Sequence, residues 1–136
     1  MKTPFAVTGL FLWLTGFCLV QAGTLLTSPI TFVQPSTINF GTVERKAFAT
    51  NSFVVENVGG GTLVGKAEVA PPFKILSGAS YKLKHSQIQV VTVVYTPDTA
   101  GTNLETIKFT GGGKDTTAIV IGKLSTTPPW YRPKRK

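Results

Sequence analysis

From Thr37 to Leu124 the chain is cut into short runs rich in Val, Ile, Thr, Phe and Tyr, and the cuts limit its fold more than any other feature. The breakers are Gly59-Gly60-Gly61, Pro71-Pro72, Gly78, Pro97 with Gly101, and Gly111-Gly112-Gly113. Between them no run sustains an apolar spacing of 3.6 residues, so no long helix can bury a continuous face. Short β-prone runs separated by turn residues instead predict an all-β sandwich. The expected strands are Thr37–Val43, Ala47–Asn57, Thr62–Ala70, Phe73–Leu76, Ile88–Thr96, Asn103–Thr110 and Thr116–Leu124, with an edge strand at Ile30–Val33.

Alternation assigns faces to several of these runs. In Ser52-Phe53-Val54-Val55-Glu56, Phe53 and Val55 point one way, and Glu56 marks the wet side. Ile107 and Phe109 are the inward pair of Thr106-Ile107-Lys108-Phe109. The run Val90–Tyr95 is apolar on both parities, which suits a central strand covered on one face and partly screened on the other, with Val91, Val93 and Tyr95 inward. In the last strand Ile119/Ile121 and Ala118/Val120 compete for the core, and a slip of one residue exchanges them.

A different kind of segment precedes the β-rich part. Lys2 is followed by an uncharged apolar run from Phe5 to Val20, and Val20-Gln21-Ala22 places compact residues before Gly23. This pattern predicts a helical signal peptide over 1–22, cleaved before Gly23, and hence a secreted or periplasmic protein. The run is shorter than the roughly 20 residues a bilayer span requires, so no stable membrane span is expected after cleavage. Lipidation at Cys18 is disfavoured by Phe17, which stands where a small residue is needed.

Residues 23–36 are then expected to form a lead-in, 37–124 the β-sandwich domain, and 125–136 a C-terminal tail. Cys18 is the sole cysteine and leaves with the leader, so neither a disulfide nor a cysteine-ligated metal is expected in the mature chain. An exported domain held by packing alone fits a bacterial envelope better than a disulfide scaffold.

The full chain carries 14 Lys and Arg against 6 Asp and Glu. Without Lys2 the net charge is +7, and four of those charges are Arg132, Lys134, Arg135 and Lys136. The basic character is therefore partly a property of the tail. The domain itself is only mildly cationic, which argues against a broad nucleic-acid-binding face.

Four motifs in order carry a family resemblance. Ser36-Thr37-Ile38-Asn39-Phe40-Gly41-Thr42-Val43 resembles the opening strand of hydin-type Ig-like domains, also called ASH domains and, in secreted bacterial proteins, choice-of-anchor D domains. Phe53-Val54-Val55-Glu56-Asn57-Val58-Gly59 resembles their second strand and its turn. Pro72-Phe73-Lys74-Ile75 and Val91-Thr92-Val93-Val94-Tyr95-Thr96-Pro97, followed by Gly101, complete the set.

The resemblance spans about residues 36–124 and implies an antiparallel Ig-like sandwich of about seven strands, related to the major sperm protein and pilus-chaperone folds. Such domains act mainly as interaction or structural modules and share no catalytic apparatus. The fold-signature positions are Phe40, Gly41, Phe53, Val55, Asn57, Gly59, Phe73, Val93, Tyr95, Pro97 and Gly101. Phe40 is expected to plug the core beside a bulge at Gly41, and Asn57 to serve a turn in which Gly59 takes a positive φ. The chain departs from the pattern at Lys84-His85-Ser86, where the family carries Pro-Gly and where His85 would meet a left-handed turn.

Little else in the sequence points to chemistry. His85 is the sole histidine, and neither Asp98 nor Asp115 is placed to orient it against Ser77, Ser80 or Ser86, so it reads as a turn residue rather than a catalytic base. Dispersed acids and a single histidine offer no metal cluster, and no cofactor is expected. Gly111-Gly112-Gly113-Lys114 lacks phosphate-loop spacing, because Lys108 and Asp115 stand where Gly and Ser or Thr are required.

The tail is the exception. Trp130 and Tyr131 beside Arg132, Lys134, Arg135 and Lys136 form a candidate partner-binding segment suited to an anionic surface or an acidic protein. The alternative is a solubilising tail whose aromatics fold back on the sandwich. The expected function is that of an exported, non-enzymatic module that binds another envelope or extracellular component through a sheet edge and this tail. The alternatives are a self-associating structural subunit and, with less support, a chaperone-like periplasmic protein.

Overall fold

The computed structural model describes residues 28–127, 130, 131 and 133–135. The predicted signal peptide over 1–22 lies outside the described residues, as do Arg132 and Lys136 of the tail. The described part is all β, with strands β1 Thr31–Gln34, β2 Thr37–Val43, β3 Ala49–Asn57, β4 Thr62–Glu68, β5 Phe73–Ser77, β6 Ser80–Lys84, β7 Ile88–Tyr95, β8 Gly101–Phe109 and β9 Thr116–Leu124. They form a four-stranded sheet, β1-β3-β7-β5, and a five-stranded sheet, β2-β9-β8-β4-β6.

The core lies between the sheets and is supplied by the period-2 alternation of their strands. Phe53, Val55, Val91, Val93, Tyr95 and Phe73 come from the first sheet. Leu63, Tyr81, Leu83, Ile107, Phe109 and Val120 face them from the second. Two aromatic contacts tie the layers and the β5 end together: Phe53 meets Phe109 edge-on at 5.5 Å, and Phe73 stacks on Tyr95 at 4.7 Å. The Tyr95 hydroxyl accepts a hydrogen bond from Asn103 Nδ2 at 2.7 Å, so its polar end is satisfied.

The chain changes sheets repeatedly. It leaves the first sheet after β1, crosses at Pro35 and joins the second as β2; β5 returns to the first sheet and β6 to the second. The strand pairs are antiparallel except β2–β9, which is parallel and corrects the fully antiparallel expectation. A register shift between Asn39 and Thr42 marks a bulge, with Gly41 at φ 70° as expected for that position.

Most expected strands stand within a few residues of their predicted ends. The structure adds β6, whose Ser80-Tyr81-Lys82-Leu83-Lys84 alternates cleanly and buries Tyr81 and Leu83. In β9 it is Ala118 and Val120 that face inward, while Ile119 is exposed.

Three local expectations change. The positive φ after Asn57 belongs to Gly61, not Gly59. At the Lys84-His85-Ser86 turn it belongs to Ser86, at 62°, so His85 carries no such strain. Phe40 is half-buried, packed 5.6 Å from Phe73 and 5.7 Å from Tyr95. It closes one flank of the core rather than filling its centre, so truncating it removes less than the about 3–5 kcal/mol of a fully buried aromatic.

Candidate functional site

Most of the fold-signature residues serve packing, whereas Gly41 and Gly101 stand in open space with a positive φ. Phe53, Val55, Asn57, Phe73, Val93, Tyr95 and Pro97 are buried, so a ligand could not reach them without opening the sandwich. Asn57 shows why a polar residue is tolerated there. Its Oδ1 accepts from the Ile30 and Gly59 amides, both at 3.1 Å, and its Nδ2 donates to the Leu83 carbonyl at 3.0 Å and the Gly61 carbonyl at 3.3 Å. One side chain thus satisfies groups from the lead-in, the glycine turn and the end of β6.

The titratable groups are spread apart in the same way. His85 Nδ1 lies 2.7 Å from the Gly59 carbonyl oxygen and is engaged by the turn. Asp98 follows the C-terminal end of β7, whereas His85 precedes its N-terminal end, so a full strand separates them. Asp115 is held by Lys108 at 2.7 Å, and this contact raises the lysine's pKa. Glu68 is drawn below its ordinary pKa first by the hydrogen bond from Lys66.

The Tyr81 hydroxyl donates to the Thr110 carbonyl at 2.6 Å; burial, helped by the nearby Asp115 charge, pushes its pKa up to about 12. That hydroxyl is a clamp between β6 and the end of β8. Its raised pKa keeps the phenol protonated. Gly111-Gly112-Gly113 joins two strands and offers no helix N-terminus to a phosphate. Among the described residues no group of three or more His, Cys, Asp or Glu side chains could hold a metal. An open groove of about 650 Å³ runs beside β5, walled by Val69, Pro71, Pro72 and Ile75 with Glu68 and Asp98 at its rim. Among the described residues its lining holds no histidine, cysteine or serine.

The sheet edges are poor templates for an added strand. β1 is short, and its Thr31 exchanges side-chain and backbone hydrogen bonds with Gly111 and Thr116, which covers that edge. β5 follows Pro71-Pro72 and carries a bulge between Ile75 and Ser77, β2 carries the Gly41 bulge, and β6 presents Lys82 and Lys84. Short length, bulges, prolines and lysines are the devices that oppose edge pairing. The edge-mediated contact expected from the sequence therefore loses its support.

Two surfaces remain. The tail aromatics do not fold back on the sandwich: Trp130 is 81% exposed and Tyr131 58%. Lys134 and Arg135 beside them are exposed as well. The second surface was missed by sequence reasoning. It is the outer face of β1-β3-β7-β5, where Phe32, Ile88, Val90 and Leu76 are between 46% and 63% exposed. The doubly apolar run Val90–Tyr95 was its one sequence signal.

No protein-family model and no curated protein matches the sequence. Solved structures do match the fold. The ASH / PapD-like domain of human CEP192 (PapD-like domain 7) aligns with a TM-score of 0.61 and 16% identity, over 81% of this chain and 95% of that one. The chain has the fold of an ASH / PapD-like Ig domain. A protein of unknown function from Porphyromonas gingivalis aligns with a TM-score of 0.63 and 14% identity, over 75% of this chain and 50% of the other. The E. coli chaperone DraB gives 0.52 and 14%, over 77% and 58%. At these identities the likeness concerns the ASH / PapD-like fold alone, and the chain covers 50% and 58% of the latter two proteins.

Proposed function

We propose that this chain is an exported, non-enzymatic binding module that attaches to an anionic component of a cell envelope or its surroundings through its C-terminal tail. The observation that carries this reading is the outward exposure of Trp130 and Tyr131 next to a run of cations. Basic residues near an anionic surface contribute about 1 kcal/mol each, and Trp and Tyr favour the polar–apolar boundary of a membrane. With four cations in the tail, attachment should be firm at low salt and weaken as the Debye length shortens. The rigid sandwich then holds the tail at one pole and keeps its own faces clear of the surface.

The test is co-sedimentation with phosphatidylglycerol vesicles and with phosphatidylcholine vesicles, comparing the full chain with one ending at Thr127. Binding to the anionic vesicles that is lost with the tail and with added salt is the expected result. Equal binding by both chains, or none by the full chain, overturns the tail as the recognition element.

A further inference from the structure

The groove beside β5 has walls of Val69, Pro71, Pro72, Phe73 and Ile75, and it lies where the chain passes from β4 in one sheet to β5 in the other. At about 650 Å³ it is within the size range of sites that take a ligand, and its walls favour one with apolar side chains to bury. Glu68, Asp98 and Lys74 are the charged groups along its lining. Glu68 is already bonded to Lys66, whereas Asp98 is exposed and takes no part in the ion pairs found among the described residues. A cation on the occupant therefore finds its partner in Asp98. An added β-strand does not suit this place, because Pro71-Pro72 leads into β5 and a bulge follows Ile75. A segment held by its side chains, with few amide donors of its own, does.

The C-terminal tail has that chemistry. Pro128-Pro129-Trp130-Tyr131-Arg132-Pro133-Lys134 combines prolines, which lack an N–H, with aromatics and cations. Trp130 is 81% exposed, so the tail does not lie in the groove of its own chain. Its root is nevertheless close by. Leu124 pairs with Gly101, Ser125 to Thr127 share a recess with Ala100, and Asp98 belongs to the same loop as Ala100. The sequence Pro128-Pro129 disfavours the sharp reversal that docking within one chain would need. Donor and acceptor thus sit at one end of the sandwich without meeting in one molecule. Two copies brought together by that end can each place the tail in the other's groove, so that the contact is made twice and closes.

We infer that this chain dimerises by exchanging tails, Trp130 and Tyr131 of each copy filling the β4–β5 groove of the other and a tail cation meeting Asp98. The inference rests on the tail being a recognition element, and it adds a protein partner to the anionic surface.

Sedimentation velocity of the full chain without lipid, from low micromolar to near-millimolar concentration, tests this. The expected result is a monomer–dimer equilibrium that is lost when the chain ends at Thr127. Asp98→Lys should weaken it about tenfold or more, because a cation then faces the cationic tail twice. Asp98 is exposed, so this variant should melt as the parent does. The contact itself is read by titrating a peptide of residues 126–136 into the chain ending at Thr127. One peptide should bind per chain, and about tenfold more weakly once Asp98→Lys is added. The full chain carrying Asp98→Lys should still sediment with phosphatidylglycerol vesicles, which separates a failure of the groove from a failure of the tail. A strict monomer throughout the range overturns the inference, whether or not the tail binds vesicles. So does dimerisation that survives loss of the tail or ignores Asp98→Lys, or a peptide that does not bind the shortened chain.

Discussion

Gly59-Gly60-Gly61 and Gly111-Gly112-Gly113 are the same tripeptide, yet the structure anchors the first more completely than the second. The first joins β3 to β4 across the sandwich and is saturated with contacts. Its Gly59 amide bonds Asn57 Oδ1, its Gly60 amide bonds the Ser28 carbonyl, and its Gly61 carbonyl accepts from Asn57 Nδ2. A Cβ on Gly59 would overlap the Ser28 carbonyl oxygen and stand 2.5 Å from the Ile30 amide nitrogen. The second tripeptide closes the β8–β9 hairpin. Its Gly111 carbonyl accepts from the Thr31 hydroxyl, and a Cβ on Gly111 or Gly112 would come within 2.8 Å of Leu63 and Val64 or of Thr31, but a Cβ on the tip residue Gly113 would meet nothing within 4 Å. What separates the two is the residue upstream. A buried Asn57 gathers the first turn into the core, whereas Thr110 leaves the tip of the second in solvent.

Substitutions can break or sharpen this contrast. The largest effect is expected from Asn57→Ala, which strands buried partners from three segments at once and should cost about 3–5 kcal/mol in urea denaturation. Gly59→Ala forces backbone apart and should cost about 2–3 kcal/mol by the same measurement. A loss below that of an ordinary surface substitution would mean the lead-in does not press on this turn.

Tyr81→Phe removes the clamp at the base of the second turn for about 0.5–1.5 kcal/mol. It also carries a pH signature. The folded chain holds the phenolic proton to about pH 12 against an ordinary value of 10.0, so this stabilisation is complete below pH 10 and fades as the pH rises from 10 to 12. The difference in stability between parent and variant should therefore shrink across that window; a constant difference would contradict the raised pKa. Smallest of all is Gly113→Asn, a residue that accepts a left-handed backbone in open space, with a change within about 0.5 kcal/mol.

The sequence disclosed the sandwich where a strand has one wet side. Phe53 and Val55, Ile107 and Phe109 were assigned correctly because Glu56 and Lys108 mark the opposite parity. It was silent in β9, where Ala118-Ile119-Val120-Ile121 is apolar throughout and the larger residues turned out to lie outside. Neither parity carries a polar marker, and the structure settles the register by turning Ala118 and Val120 inward. Strand β6 escaped notice although Tyr81 and Leu83 alternate with lysines, since it is a short run between two turns.

The candidate surfaces divide similarly. The tail announces itself by composition. The apolar face is assembled from single residues on separate strands, and only the pairing register brings Phe32, Val54, Ile88 and Val90 together.

The crossing from β1 to β2 also sets the mechanics of the domain. Ser28 is fastened beside Gly60 at one pole, and Ser125 bonds the Val43 carbonyl at the other, so the chain enters and leaves at opposite ends of the sandwich. β2 and β9 run side by side in the same direction between those poles. Tension applied between the two ends would pull this parallel pair past itself lengthwise, straining its cross-strand bonds together rather than peeling them one after another. A domain wired in this way behaves as a stiff strut.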